Sequence, residues 1–143
     1  MKGSKHSGDT GELEVVNLAA CPNCGSKLML LPPGFPLFDI QCTRCLFRAQ
    51  IKTSNRKPTG TIRGAGWDIY EKVLKAGNLA PPLIVNYHWD DKEGEHHEIR
   101  FYPFIPKDNV QKYILSATAR RANYRMFNYV GLKAIPFLIL FPK

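Results

Sequence analysis

Acidic side chains are scarce in this sequence. Twelve Asp and Glu face twenty Lys and Arg, which leaves a formal charge of +8 and a pI near 9.5. So basic a balance points to a polyanionic partner, most often nucleic acid. A basic protein with no such partner is the alternative. Long apolar runs are also missing. The longest, Ala134 to Phe141, is interrupted by Pro136 and falls short of the ~18–20 residues of a membrane helix. The N-terminal stretch lacks the apolar core of a secretory signal, so a cytoplasmic protein is expected. No internal repeat is present. Cysteine is absent outside residues 21–45.

What remains suits one domain. The chain has 143 residues, with 44% hydrophobic and 22% charged, which excludes a largely disordered chain or a coiled coil. Residues 1–10, rich in Gly, Ser, Lys and Asp, read as a disordered tail. Gly11 to Ala20 reads as a short helix or lead-in strand. Residues 53–66 read as a polar, glycine-containing loop carrying Arg56, Lys57 and Arg63. Trp67, Tyr70 and Leu74 recur at helical spacing, so a helix is expected over Trp67 to Ala76, stopped by Gly77-Asn78. Leu83 to Trp89 and His97 to Pro103 read as two strands of a hairpin around the acidic turn at 90–95. A helical turn is expected from Pro106 toward Tyr113, and a last strand over Ala134 to Phe141. A helix between strands predicts a mixed α/β or α+β sheet.

The charges are unevenly distributed. Residues 44–75 hold eight basic and two acidic side chains, and residues 107–143 hold seven and one. Residues 90–98 hold five acids and one lysine. This separation favours a directed basic surface.

The four cysteines form two pairs, Cys21-x2-Cys24 and Cys42-x2-Cys45. Each tight turn aims two thiolates at one point, and two turns complete a tetrahedral Zn2+ site. Two disulfides would require a secreted protein, and a thioredoxin-like site needs only one such pair. Structural zinc is therefore expected.

Asp39 lies in a short apolar stretch, where an acid is costly unless it binds something. Farther on, strand alternation puts Gln50 and Lys52 on one face. An Asp followed by an acid-x-Lys on a neighbouring strand is the pattern of the PD-(D/E)XK nucleases. In them the oxygens hold Mg2+ against the scissile phosphate, and the lysine orients water and offsets negative charge. Alone the triplet is equally an edge-strand Asp, a surface Gln and a snorkelling Lys.

Four segments read together are more specific. CPNCG, FDIQCTRC and Gln50-Ile51-Lys52, followed by Ala117 to Tyr124 (ATARRANY), resemble the DpnI-type restriction endonucleases, the Dam-replacing family, in order and spacing across residues 21–130. The resemblance implies a PD-(D/E)XK nuclease domain over residues 11–143, with a zinc-ribbon insertion at 21–45. It implies Mg2+-dependent cleavage of double-stranded DNA at adenine-methylated, GATC-type sites. Asp39, Gln50 and the Ile51 backbone carbonyl would then hold Mg2+, with Lys52 as the catalytic lysine. Arg120 and Arg121 match the family's paired arginines, and Tyr124 falls where DpnI-type enzymes carry a base-reading tryptophan. Arg125, Arg56, Lys57 and Arg63 join the expected DNA-binding residues.

Two departures stand out. Gln50 replaces the usual Glu and brings no charge, so weaker metal binding is expected, with Glu12 or Glu14 as a possible substitute carboxylate. The family's winged-helix reader is expected to be absent. A catalytically degenerate DNA-binding protein of the same fold is the alternative. A zinc-ribbon module for RNA or protein is a third reading. His88, His96 and His97 read as residues of a surface hairpin.

Overall fold

The computed structural model describes residues 8–113 and 126–143. Helix α1 (Gly8–Leu18) leads into three short strands of the cysteine region and beyond: β1 (Leu28–Leu30), β2 (Ile40–Cys42) and β3 (Arg48–Ser54). Strand β4 (Ile62–Ala65), helix α2 (Trp67–Gly77) and strand β5 (Leu79–Ala80) follow. The long hairpin β6 (Leu83–Asp91) and β7 (Gly94–Tyr102) comes next, then β8 (Ile105–Pro106), β9 (Val110–Tyr113), β10 (Met126–Tyr129) and β11 (Leu138–Phe141). The class is the mixed α/β one expected from the sequence.

The main sheet has the order β1-β2-β3-β6-β7-β11. Among the described strands β3 and β6 alone run parallel, and the crossover between them carries β4, α2 and β5. A three-stranded sheet, β4-β10-β9, packs beside it. Two cores result. One joins Tyr70 and Leu74 of α2 to Val85, Tyr87, Tyr102, Phe127 and Tyr129. The other sets Val15 of α1 against Ile40, Ile51, Ile84 and Ile99, with Cys21 and Cys42 at its end. Full burial of each such side chain is worth about 1.5–3 kcal/mol. The two cores therefore clamp the sheet from both faces.

Helix α2 ends where the sequence indicates. Asn78 adopts the left-handed conformation at φ 61°, and its N–H donates to the Leu74 carbonyl at 2.8 Å. Helix α1 lies tight on β3. A Cβ at Gly11 would fall 2.0 Å from Thr53 Oγ1, so only glycine permits this approach.

Several boundaries differ from those read in the sequence. Helix α1 begins at Gly8, inside the segment read as a tail. The 53–66 loop contains β4, whose partner β10 is distant in sequence. The helical turn after Pro106 is only Lys107–Asn109 before the chain enters β9. Pro136 lacks an N–H and confines the last strand to Leu138–Phe141, after a 3-10 turn at Leu132–Ala134. No helix among the described residues is long and apolar enough to cross a membrane.

Candidate active site and metal centre

The four cysteines converge. Sγ of Cys21 lies 3.6 Å from Sγ of Cys45, and Cys24 lies 3.5 Å from Cys42. All four sulfurs lie within 4.8 Å of one another. A tetrahedron of Zn–S bonds near 2.3 Å has edges of about 3.8 Å. The spacing therefore suits one ion and is far too long for disulfides, with bonds near ~2.05 Å. Backbone N–H groups already point at the sulfurs. Asn23 donates to Cys21, Arg44 and Cys45 to Cys42, and Phe47 to Cys45, at 3.3–3.4 Å. Such bonds favour the thiolate, although at Cys21 burial outweighs them and pushes the thiol up to about 11. Hydrogen bonding, chiefly at the Ser26 side, brings the Cys24 thiol down to about 6, which favours the metal-binding form. The cluster is consistent with structural zinc.

Asp39 stands at the entry to β2, one residue before the strand rather than inside it. The backbone before it is bent by three prolines and by Leu37, a non-glycine residue at φ 67°. Such a conformation costs of order 1 kcal/mol and persists where packing holds it. Here Leu37 is pressed against the core beneath α2. The same segment lines a cleft of about 540 Å³ with Asp9, Glu12, Pro32, Phe35 and Asp39 on its walls. Arg48 fixes one wall through its guanidinium, 5.3 Å from the centre of the Phe35 ring.

Oδ2 of Asp39 accepts the Ile51 backbone N–H at 2.7 Å and the Gln50 side-chain N–H at 3.0 Å. Gln50 is held from its other end, since its Oε1 accepts the Tyr70 hydroxyl at 3.0 Å. Tyr70 in turn lies 2.7 Å from the Tyr129 hydroxyl. The chain from β2 through β3 and α2 to β10 is thus hydrogen-bonded throughout. Alternate strand residues present N–H and C=O along the same edge. Gln50 N–H serves Pro82 on the β6 side, and Ile51 turns its N–H toward Asp39.

Lys52 shares the sheet face of Gln50, as strand alternation requires. Burial lowers its pKa, while Asp39 and Glu12 push back upward. Burial raises Asp39, opposed by the Ile51 N–H and by Lys52. Glu12 is the third ionisable member. Burial and then the charges of Asp39 and Asp9 lift it to about 7. Asp39 and Glu12 line the cleft and Lys52 interacts with both, and such a group of perturbed residues is a common mark of functional sites.

The sequence left Glu12 and Glu14 as equals, and the structure separates them. Glu12 lines the cleft with Asp39. Glu14 faces the hairpin, where it meets Asn86 at 2.9 Å and His88 at 2.6 Å. Sequence reading missed Tyr70, which serves the site as well as the core. Its helical period signalled only packing.

Arg56, Lys57 and Arg63 are all exposed, on the connection after β3 and on β4. Arg120, Arg121, Tyr124 and Arg125 lie outside the described residues. His88 and His97 are not simple surface positions, because both pack against Glu14 midway along the hairpin. His96 does sit near the tip, bonded to Asp91 at 2.8 Å.

The donors around Asp39 fit a hard divalent cation. A carboxylate, an amide oxygen, a backbone carbonyl and a second carboxylate on α1 are all oxygen ligands. One adjustment is needed, since Gln50 turns its nitrogen toward Asp39. A half-turn of the amide would present its oxygen there and its N–H2 to Tyr70, whose hydroxyl can accept as well as donate.

Comparison with curated proteins gives no match. The sequence model of the family described as DpnI, Dam-replacing, matches residues 9–138. That span includes α1, both cysteine pairs, Asp39, Gln50, Lys52 and the basic segment before β10.

Proposed function

We propose, from the premise that this chain belongs to the DpnI Dam-replacing family, that it is a Mg2+-dependent endonuclease of double-stranded DNA. The family relation gives a restriction-endonuclease-related function on DNA. The finer reading rests on the convergence of Asp39 and Gln50 at 3.0 Å beside Lys52.

In this reading Asp39, Gln50 Oε1 and the Ile51 carbonyl hold the cation, and Glu12 adds the charge that Gln50 lacks. Bound there, Mg2+ would polarise the scissile phosphate and lower the pKa of a coordinated water. Lys52 does two things. Its ammonium offsets the charge that grows on the phosphate, and its N–H groups orient the attacking water. Burial in the sheet face limits its orientations and lowers its pKa, while Asp39 and Glu12 favour the charged form. Attack by water forms one P–O bond and breaks the P–O bond to the sugar, and the departing oxygen takes up a proton.

Arg56, Lys57 and Arg63 supply phosphate contacts. By family resemblance, Arg120, Arg121, Arg125 and Tyr124 serve DNA and the methylated adenine.

The alternative is a DNA-binding protein that has lost catalysis. It has support in Gln50, which brings no charge and whose side-chain nitrogen and oxygen are both engaged by Asp39 and Tyr70. Plasmid cleavage with Mg2+ or Mn2+, on adenine-methylated and unmethylated DNA, separates the two. Cutting by wild type that is lost in Asp39→Ala supports the enzyme. No cutting, together with DNA binding that weakens steeply with salt, supports the alternative. Equal cutting of both DNAs removes the methylation preference.

A further inference from the structure

Away from the cleft, three ligating side chains meet where α1 crosses the hairpin. Strand pairing sets His88 opposite His97, with their rings stacked 3.8 Å apart. Both turn Nε2 toward the same oxygen, Glu14 Oε1, at 2.6 and 3.8 Å. A tetrahedral ion with ligand bonds near 2.0–2.1 Å separates its ligands by about 3.3 Å. The two observed distances bracket that value. The three groups are shielded but reachable, at 17%, 20% and 24% side-chain exposure for His88, His97 and Glu14.

The surroundings fit a supported ligand set. Asn86 is fully buried, and its Nδ2 donates to both Glu14 Oε1 and the Gly11 carbonyl, at 2.9 and 3.0 Å. Its Oδ1 lies 2.7 Å from His97 Nε2. Nδ2 thus positions the Glu14 carboxylate as an outer-sphere partner does in metal sites, while Oδ1 accepts from the His97 nitrogen that a metal ion would take in its place. Two imidazoles and one carboxylate suit Zn2+ or a cation of similar preference, and water can complete the fourth position. Mg2+ dislikes this nitrogen-rich set.

We propose that Glu14, His88 and His97 form a second transition-metal site that fastens helix α1 to the β6–β7 hairpin. Its ligands are separate from the four cysteines and from the residues around the proposed catalytic cation. Its sequence separation is large, since His88 lies 74 positions after Glu14. Occupancy ties the start of the chain to the middle of the sheet.

Metal counting tests the proposal. The protein is prepared with Asp39→Ala, so that zinc cannot occupy the cleft, then saturated with Zn2+ and desalted. Two zinc ions per chain are expected. Adding Glu14→Gln should leave one, because the amide oxygen can still accept from Asn86 and His88 but lacks the ligand charge. His88→Ala with His97→Ala should also leave one. Cobalt substitution gives a second readout. The equivalent lost in Glu14→Gln should lack the sulfur-to-metal charge-transfer band of the cysteine site. Thermal melting guards against misfolding, since Glu14→Gln in chelator should melt with its parent. One zinc in the parent protein overturns the proposal. So does retention of two in Glu14→Gln.

Discussion

Replacing Gln50 by Glu restores the family's usual residue and makes a quantitative test of the cleft. The new carboxylate would stand about where the Gln50 amide now does, 3.0 Å from Asp39 Oδ2. Two full charges at that distance repel by about 5 kcal/mol at an effective dielectric of 20. Proton uptake limits the cost. Holding a carboxyl of pKa ~4.3 protonated at pH 7 takes about 3.7 kcal/mol, so the pair shares a proton instead. Lys52 offsets part of this, and about 2–3 kcal/mol of destabilisation is expected without metal. For a domain of this size that lowers Tm by roughly 10 °C. A divalent cation reverses the sign, because the second carboxylate becomes a ligand. The midpoint for Mg2+ should fall about tenfold or more, and added Mg2+ should raise Tm further in Gln50→Glu than in wild type. The assays are thermal melting with and without Mg2+ and a Mg2+ titration of plasmid cleavage. An unchanged Tm in chelator together with an unchanged Mg2+ midpoint would refute the placement of Gln50 beside the cation.

Three further outcomes follow from the same geometry. Glu12, lifted to about 7, is protonated in the folded protein through a range where the unfolded chain has already lost the proton. Metal-free stability should therefore fall as pH rises from about 4.5 to 7, and Mg2+ affinity should rise over pH 6–8; Glu12→Gln should flatten both trends in melting and titration series. Tyr70→Phe removes the hydroxyl between Gln50 and Tyr129 and leaves buried polar groups short of a partner. About 1–3 kcal/mol should be lost in urea unfolding, with a weaker Mg2+ dependence of cleavage. Gly64→Ala places a Cβ 2.6 Å from Phe127 Cζ. Overpacking there should cost about 1–3 kcal/mol in the same assay while leaving zinc content unchanged.

Local chemistry carried much of this into the sequence. The two C-x2-C turns announce four converging sulfurs because each turn is short and stiff. Alternation along β3 is enough to put Gln50 and Lys52 on one face. Asn78 can take the left-handed conformation that ends α2. Features set by distant partners were harder to see. Strand β4 looks like a polar loop because its partner β10 lies more than sixty residues on. Pro136 shortens a run whose apolar composition suggests a longer strand. The histidine pair is a different case. A turn centred between Lys92 and Glu93 pairs His88 with His97 by arithmetic, and the acidic segment already marked that centre. Pairing alone, however, does not reveal that a helix residue reaches the same point.

That helix residue shows why Glu12 and Glu14 diverge. Two positions along an α-helix differ by about 200°, so one helix cannot turn both side chains to one site. Gly11 fixes the height of α1 above Thr53, and Glu14 fixes its rotation through Asn86 and His88. With height and rotation set, Glu12 falls toward Asp39 and Lys52. The hairpin cluster and the cleft are then two ends of one lever. A change that frees Glu14 should let Glu12 move relative to Asp39, altering Mg2+ dependence from a residue that never touches the cation. A change that frees Glu12 breaks no bond at the hairpin, so Glu12→Gln should leave the histidine cluster as it is. This asymmetry distinguishes a positioning residue from a ligand at the cleft.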